Sequence, residues 1–120
     1  MLVKDVTDLE VYQESLRLLK KLYEFLKNVP SSESNTIYQC KKCGTSIPSQ
    51  IAEGWAKRRY AAELKRFLMI AIGSSDELIN HLRLIEITVP RLHDDAAQLG
   101  QEYKVLSKRM NSLHKNWWGK

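Results

Sequence analysis

Apolar residues recur along this chain at intervals of three and four, in four separate segments. In the first, Leu9, Tyr12, Leu16, Leu19, Tyr23 and Leu26 fall on one face of a helix. A second stripe, Val11, Leu18, Leu22 and Phe25, widens that face as a bundle helix requires. Thr7 and Glu10 stand at capping-box spacing, so the helix is expected over about 7–28. Pro30 and the run Ser31-Ser32-Glu33-Ser34-Asn35 then read as a loop.

The second segment, about 35–57, repeats Ile37, Cys40, Gly44, Ile47, Ile51 and Gly54. The third, about 61–87, repeats Leu64, Leu68, Ala71, Ser75, Leu78, Leu82 and Ile85. It ends ahead of Pro90, because the residue before a proline avoids the helical region. The fourth, about 92–117, carries Leu92, Ala96, Leu99, Tyr103, Leu106, Met110, Leu113 and Trp117. Asp94 and Asp95 suit its positive N-terminal end. Short connections favour antiparallel neighbours. The expected fold is therefore all-α: one domain over 1–120, an antiparallel up-down four-helix bundle.

Pro48 is the irregularity in this pattern. It removes one backbone hydrogen bond from the second helix and leaves the Gly44 carbonyl without its usual donor, which predicts a kink. Ser46 and Ser49 are the local hydroxyls able to satisfy that carbonyl. Glu53 near the helix end opposes the negative dipole there and calls for a cationic partner, with Arg66 the candidate. Ser46, Pro48, Gln50, Glu53 and Gly54 are read together as residues that shape the bundle and a subunit interface.

Composition narrows the choice further. A chain of 120 residues supports one core, and five glycines with three prolines leave little material for an all-β fold. No apolar run reaches membrane-spanning length and no signal-peptide pattern opens the chain, so a cytoplasmic protein without membrane association is expected. Cys40-Lys41-Lys42-Cys43 is a C-x-x-C, but the chain has only these two cysteines. His81, His93 and His114 share no ligand spacing with one another. Both cysteines are therefore read as small core hydrophobes, with no metal and no cofactor expected. Glu77 and His81, four apart, suit a helix-surface contact. No Glu-x-x-His, phosphate-cradling loop or nucleophile with a nearby base occurs, so no enzyme is expected.

Three pieces of the chain carry a resemblance. Asp8-Leu9-Glu10-Val11-Tyr12-Gln13, Ser46 through Gly54, and Arg66 through Leu78 resemble the four-helix-bundle family that includes the proteins encoded in 23S rRNA intervening sequences. That family's central motif usually reads Ser-x-Pro-x-Asn-Ile-Ala-Glu-Gly, and Gln50 stands here where asparagine is usual. The resemblance implies a ring-forming bundle, typically a homopentamer. It also implies kinship with accessory proteins of diversity-generating retroelements, which bind nucleic acid and a reverse transcriptase.

The formal net charge is +5, and it is unevenly spread. Lys57-Arg58-Arg59, at the turn between the second and third helices, is a candidate phosphate site. It equally suits a solvated turn that complements a helix C-terminus. On the fourth helix Lys104, Lys108, Asn111, Lys115 and Trp118 form a stripe beside the core stripe. Lysines so placed can follow a phosphate backbone, an asparagine can reach a base edge and a tryptophan can stack on an unpaired base. The same pattern also serves an ordinary solvent face, and Trp117-Trp118 equally suit a bundle cap or an interface. Two function classes remain: a homo-oligomer that binds RNA or DNA, and a protein–protein adaptor or structural oligomer.

Overall fold

The computed structural model describes residues 4–117. Four helices make up almost all of it: α1 (Glu10–Leu26), α2 (Ser34–Ala56), α3 (Ala61–Thr88) and α4 (His93–Asn116). Short 3₁₀ turns precede α1, α2 and α4. Contacts form a closed cycle, α1 with α2, α2 with α3, α3 with α4 and α4 with α1. The result is an elongated body of 46 × 24 × 19 Å.

Side-chain pairings give the sense of each helix. Cys43 meets Glu77, Ser46 meets Ser74, and a Cβ on Gly54 would meet Phe67. The numbers climb on α2 as they fall on α3, so the two run antiparallel. On the α3–α4 seam Ser75 meets Ser107 while Gly100 lies beside Leu82, again antiparallel. Glu14 reaches Arg109, and Lys21 reaches Glu102, doing the same for α1 and α4. The all-α up-down bundle is the observed fold.

The start of α1 differs from the expected one. Val6–Asp8 is a 3₁₀ turn, Leu9 is extended, and the capping box there is formed by Asp5 and Asp8 rather than by Thr7 and Glu10. The buried face of α1 differs as well. Val11, Ser15, Leu18, Leu22 and Phe25 are buried together with Leu26, whereas Leu16 and Tyr23 are 43% and 38% exposed. The stripe expected to widen the core is the core, and most of the other lies along its margin. Leu19 and Tyr12 pack at that margin, and Lys41 of α2 sits 5.1 Å over the Tyr23 ring.

α2 runs through Pro48 as a continuous helix, with Pro48 itself buried. Neither local serine bonds the Gly44 carbonyl. Ser49 Oγ donates to the Thr45 carbonyl at 2.9 Å, and Ser46 Oγ lies 2.9 Å from Ser74 Oγ on α3. Ser46 thus ties two helices together instead of repairing its own. Gly54 explains the close α2–α3 contact at the far end. A Cβ there would lie 2.9 Å from Phe67 Cβ and 3.3 Å from the Leu64 carbonyl oxygen.

One polar network crosses the α3–α4 seam in the core. Ser75 Oγ donates to the Tyr103 carbonyl at 3.2 Å, and Ser107 Oγ lies 2.7 Å from Ser75 Oγ and 2.9 Å from Asp76 Oδ1. The Tyr103 hydroxyl is wholly buried and has no partner among the described residues, and burial pushes its pKa upward. A buried donor left unpaired costs about 1–3 kcal/mol. Tyr103→Phe is therefore expected to stabilise the bundle by about 1 kcal/mol, read from the urea midpoint at unchanged m-value.

Candidate nucleic-acid interface

Because α2 and α4 run in the same direction, both C-termini lie at one end of the bundle. That end carries Lys57-Arg58-Arg59 and the last turn of α4 with Lys115, while Lys104 and Lys108 lie further back along α4. Trp55 near the end of α2 meets Trp117 after α4 edge-on, with ring centroids 5.9 Å apart and planes at 67°. The Arg58 guanidinium lies 4.1 Å over the Trp55 ring, and its Nη1 donates to the Trp55 carbonyl at 2.9 Å. Arg58 is half-buried and so satisfies a helix C-terminal carbonyl while stacking on an aromatic face. Its structural role is the one that a solvated, dipole-complementing turn predicts.

The neighbouring cations are engaged to different degrees. Lys57 pairs with Glu53 at 3.5 Å and lies 5.4 Å over the Phe67 ring. Glu53 therefore finds its cation one turn along its own helix, not at Arg66, which pairs with Glu63 at 2.9 Å. The short i,i+4 and i,i+3 reaches win over a contact across the turn. Arg59 is exposed, with its guanidinium 5.9 Å from the Tyr60 ring centre, and makes no ion pair among the described residues.

The α4 stripe stands clear of these compensations. Lys104, Lys108 and Lys115 are exposed and make no ion pair among the described residues. Eleven residues of helix separate the first from the last, about 16 Å at 1.5 Å per residue. Asn111 is exposed but its amide donates to the Ser107 carbonyl at 3.2 Å, one turn back on its own helix. Trp118 lies outside the described residues. The opposite flank of α4 is electrostatically closed. Burial works against the charged form of Glu102, but hydrogen bonds from Lys21 and Arg17 outweigh it and hold that carboxyl below the usual range.

The motif residues sit apart from this face. Ser46 and Gln50 are half-buried, Pro48 and Gly54 are buried, and Glu53 is exposed. Around them the structure assembles a group that the sequence reading missed. Cys43 Sγ donates to Glu77 Oε2 at 3.3 Å, and His81 Nε2 lies 3.3 Å from the same oxygen. The Glu77–His81 pair was legible as an i,i+4 contact, but Cys43 joins it from another helix, where spacing carries no signal. The thiol and imidazole contacts hold the Glu77 carboxyl below its usual range.

Cys40 and Cys43 are free and buried, as expected. Burial pushes both thiols up to about 12, with the Glu77 carboxylate adding to the effect at Cys43. Thiolate is the reactive form. In the presence of chelator, alkylation at pH 8 should accordingly be about 100-fold or more slower in the folded protein than in denaturant. Mass spectrometry over time would check this.

The arrangement defines an antiparallel helical bundle with one basic helix face and no helix long and apolar enough to cross a membrane among the described residues. The family model for the 23S rRNA-intervening sequence protein matches residues 7–112. The chain belongs to that family, which its description ties to an intervening sequence of ribosomal RNA. No curated protein matches the chain.

Proposed function

We propose that this chain is a non-enzymatic, cytoplasmic homo-oligomer that binds nucleic acid, RNA or DNA, through the α4 stripe. It acts as an accessory to a nucleic-acid-processing partner such as a reverse transcriptase. One observation carries the reading: Lys104, Lys108 and Lys115 line a single exposed face with no acidic partner among the described residues. Unpaired lysines along a straight helix suit phosphate contacts, which supply affinity without reading sequence. The family's link to an RNA intervening sequence adds support.

Assembly is supported by the outward face of α3. Met69, Ile70, Leu84 and Ile87 are exposed there, Ile87 by 75%, and Gly73 lies between them with open space around its α-carbon. Copies of this chain, typically five in the resembled family, are the occupants proposed for this face. Repetition of the stripe around a ring would raise avidity for a polyanion.

Fluorescence anisotropy of labelled single- and double-stranded RNA and DNA across a salt series tests the proposal. Affinity that falls steeply with salt supports it, and the slope counts the phosphates neutralised. Failure to bind at low salt, where electrostatics are strongest, removes it. The adaptor reading would then stand on the same apolar α3 face.

A further inference from the structure

Cys43 on α2 and Glu77 with His81 on α3 put a thiol, a carboxylate and an imidazole within 4.8 Å of one another. These are the three donor types that borderline-soft divalent metals accept. We propose that Cys43, Glu77 and His81 form a three-ligand zinc site that cross-ties α2 to α3.

The geometry is close to what tetrahedral zinc needs. With Zn–S near 2.3 Å and Zn–O and Zn–N near 2.0–2.1 Å, neighbouring ligand atoms stand about 3.5 Å (S to O) and about 3.3 Å (O to N) apart. Both separations at Glu77 Oε2 are 3.3 Å. The third pair, thiol to imidazole, lies within 4.8 Å, so closing on an ion asks for an approach of at most about 1.3 Å between them. Their backbones are also held, because the Ser46–Ser74 hydrogen bond lies one turn away on both helices.

Access and solvation fit as well. Cys43 is 5% exposed, and the His81 side chain is 16% exposed. His81 Nδ1 is buried without a partner among the described residues, so the ring engages its surroundings through Nε2 alone. The Glu77 side chain is 58% exposed in the single chain and forms the outer side of the cluster, which gives an entry path; it stands in register with Ile70 and Leu84 on the face proposed for assembly, so the fourth position falls to water or to the neighbouring copy. The Cys43 thiol releases its proton to solvent on binding, and the thiolate becomes the sulfur ligand. Lys42 is the charged neighbour that opposes the ion, while Glu77 attracts it. Cys40, buried in the core, is not among the three grouped ligands, so the C-x-x-C is not the chelating unit.

The test uses the full chain purified in chelator and reductant, then titrated with Zn²⁺ against a chromophoric competitor and separately with Co²⁺. Expected are one metal per chain and a thiolate-to-cobalt charge-transfer band beside the visible d–d bands. His81→Gln and Cys43→Ala should each weaken binding by about 100-fold or more, since losing even an outer-shell partner costs 10–100-fold. Cys40→Ala should bind as the natural chain does. Absence of one-to-one binding, absence of the thiolate band, or affinity unchanged in His81→Gln would overturn the site. Should Cys43→Ala fail to fold, Glu77→Gln and His81→Gln, on the outer side of the cluster, decide the matter on their own.

Discussion

Leucine at Gly54 is expected to cost about 3 kcal/mol or more, and alanine there up to about 2 kcal/mol. The argument is one of contact distance. A single added Cβ would lie 2.9 Å from Phe67 Cβ, 3.2 Å from Leu64 Cδ1 and 3.3 Å from the Leu64 carbonyl oxygen. Two of these three belong to the backbone or sit directly on it, so they cannot swing aside. Overpacking of this kind costs about 1–3 kcal/mol, against roughly 1 kcal/mol gained from better helix propensity. A leucine adds three further carbons in the same space, and on the order of 3 kcal/mol or more should be lost. The control is Gly73→Ala, where nothing lies within 4 Å of the new carbon. That change should stabilise the bundle by up to about 1 kcal/mol. Opposite shifts of the denaturation midpoint for the two alanines would confirm the account, and equal shifts would refute it.

The second large effect concerns the basic stripe. Lys104→Glu combined with Lys108→Glu should lower nucleic-acid affinity by about ten- to a hundredfold at low salt and reduce the salt slope by about two. The melting temperature and oligomer size should not change, because neither lysine has an ion pair to lose among the described residues. A matched pair, Arg17→Glu with Lys21→Glu, alters the same amount of charge on the flank where Glu102 is already engaged. If both pairs weaken binding equally, the stripe is not the site and only overall charge matters.

Periodicity carried the four helices and their order, because each segment repeats apolar residues over several turns. It was less able to orient α1. Both stripes there have helical spacing, and they lie on adjoining faces of one helix. Which of them points inward depends on how Gly44 seats Leu19 and Leu22 against α2, a contact between segments. The start of α1 differs for a local reason: Asp5 and Asp8 close a capping box two residues earlier, around a 3₁₀ turn that takes up Val6–Asp8 and so removes Thr7 from the N-cap position. Glu53 needs a cation at that helix end, and Lys57, four residues on, supplies it in place of Arg66, which Glu63 engages from one turn back. The lysine stripe was legible because all of it lies on one helix. The Cys43–Glu77–His81 group was not, because its members belong to two helices and meet only through their antiparallel register.

The contact between Trp55 and Trp117 joins helices that are otherwise diagonal in the cycle of neighbours. It pins the chain just beyond the last turn of α4, where a helix end would ordinarily fray. Lys115 stands two residues before that anchor and is presented on a turn already in its final shape. On the function proposed above, a polyanion docking there would meet a helix end already formed and would lose less of the contact energy to ordering it. Loosening the indole pair would then weaken binding from a distance, without removing any charge.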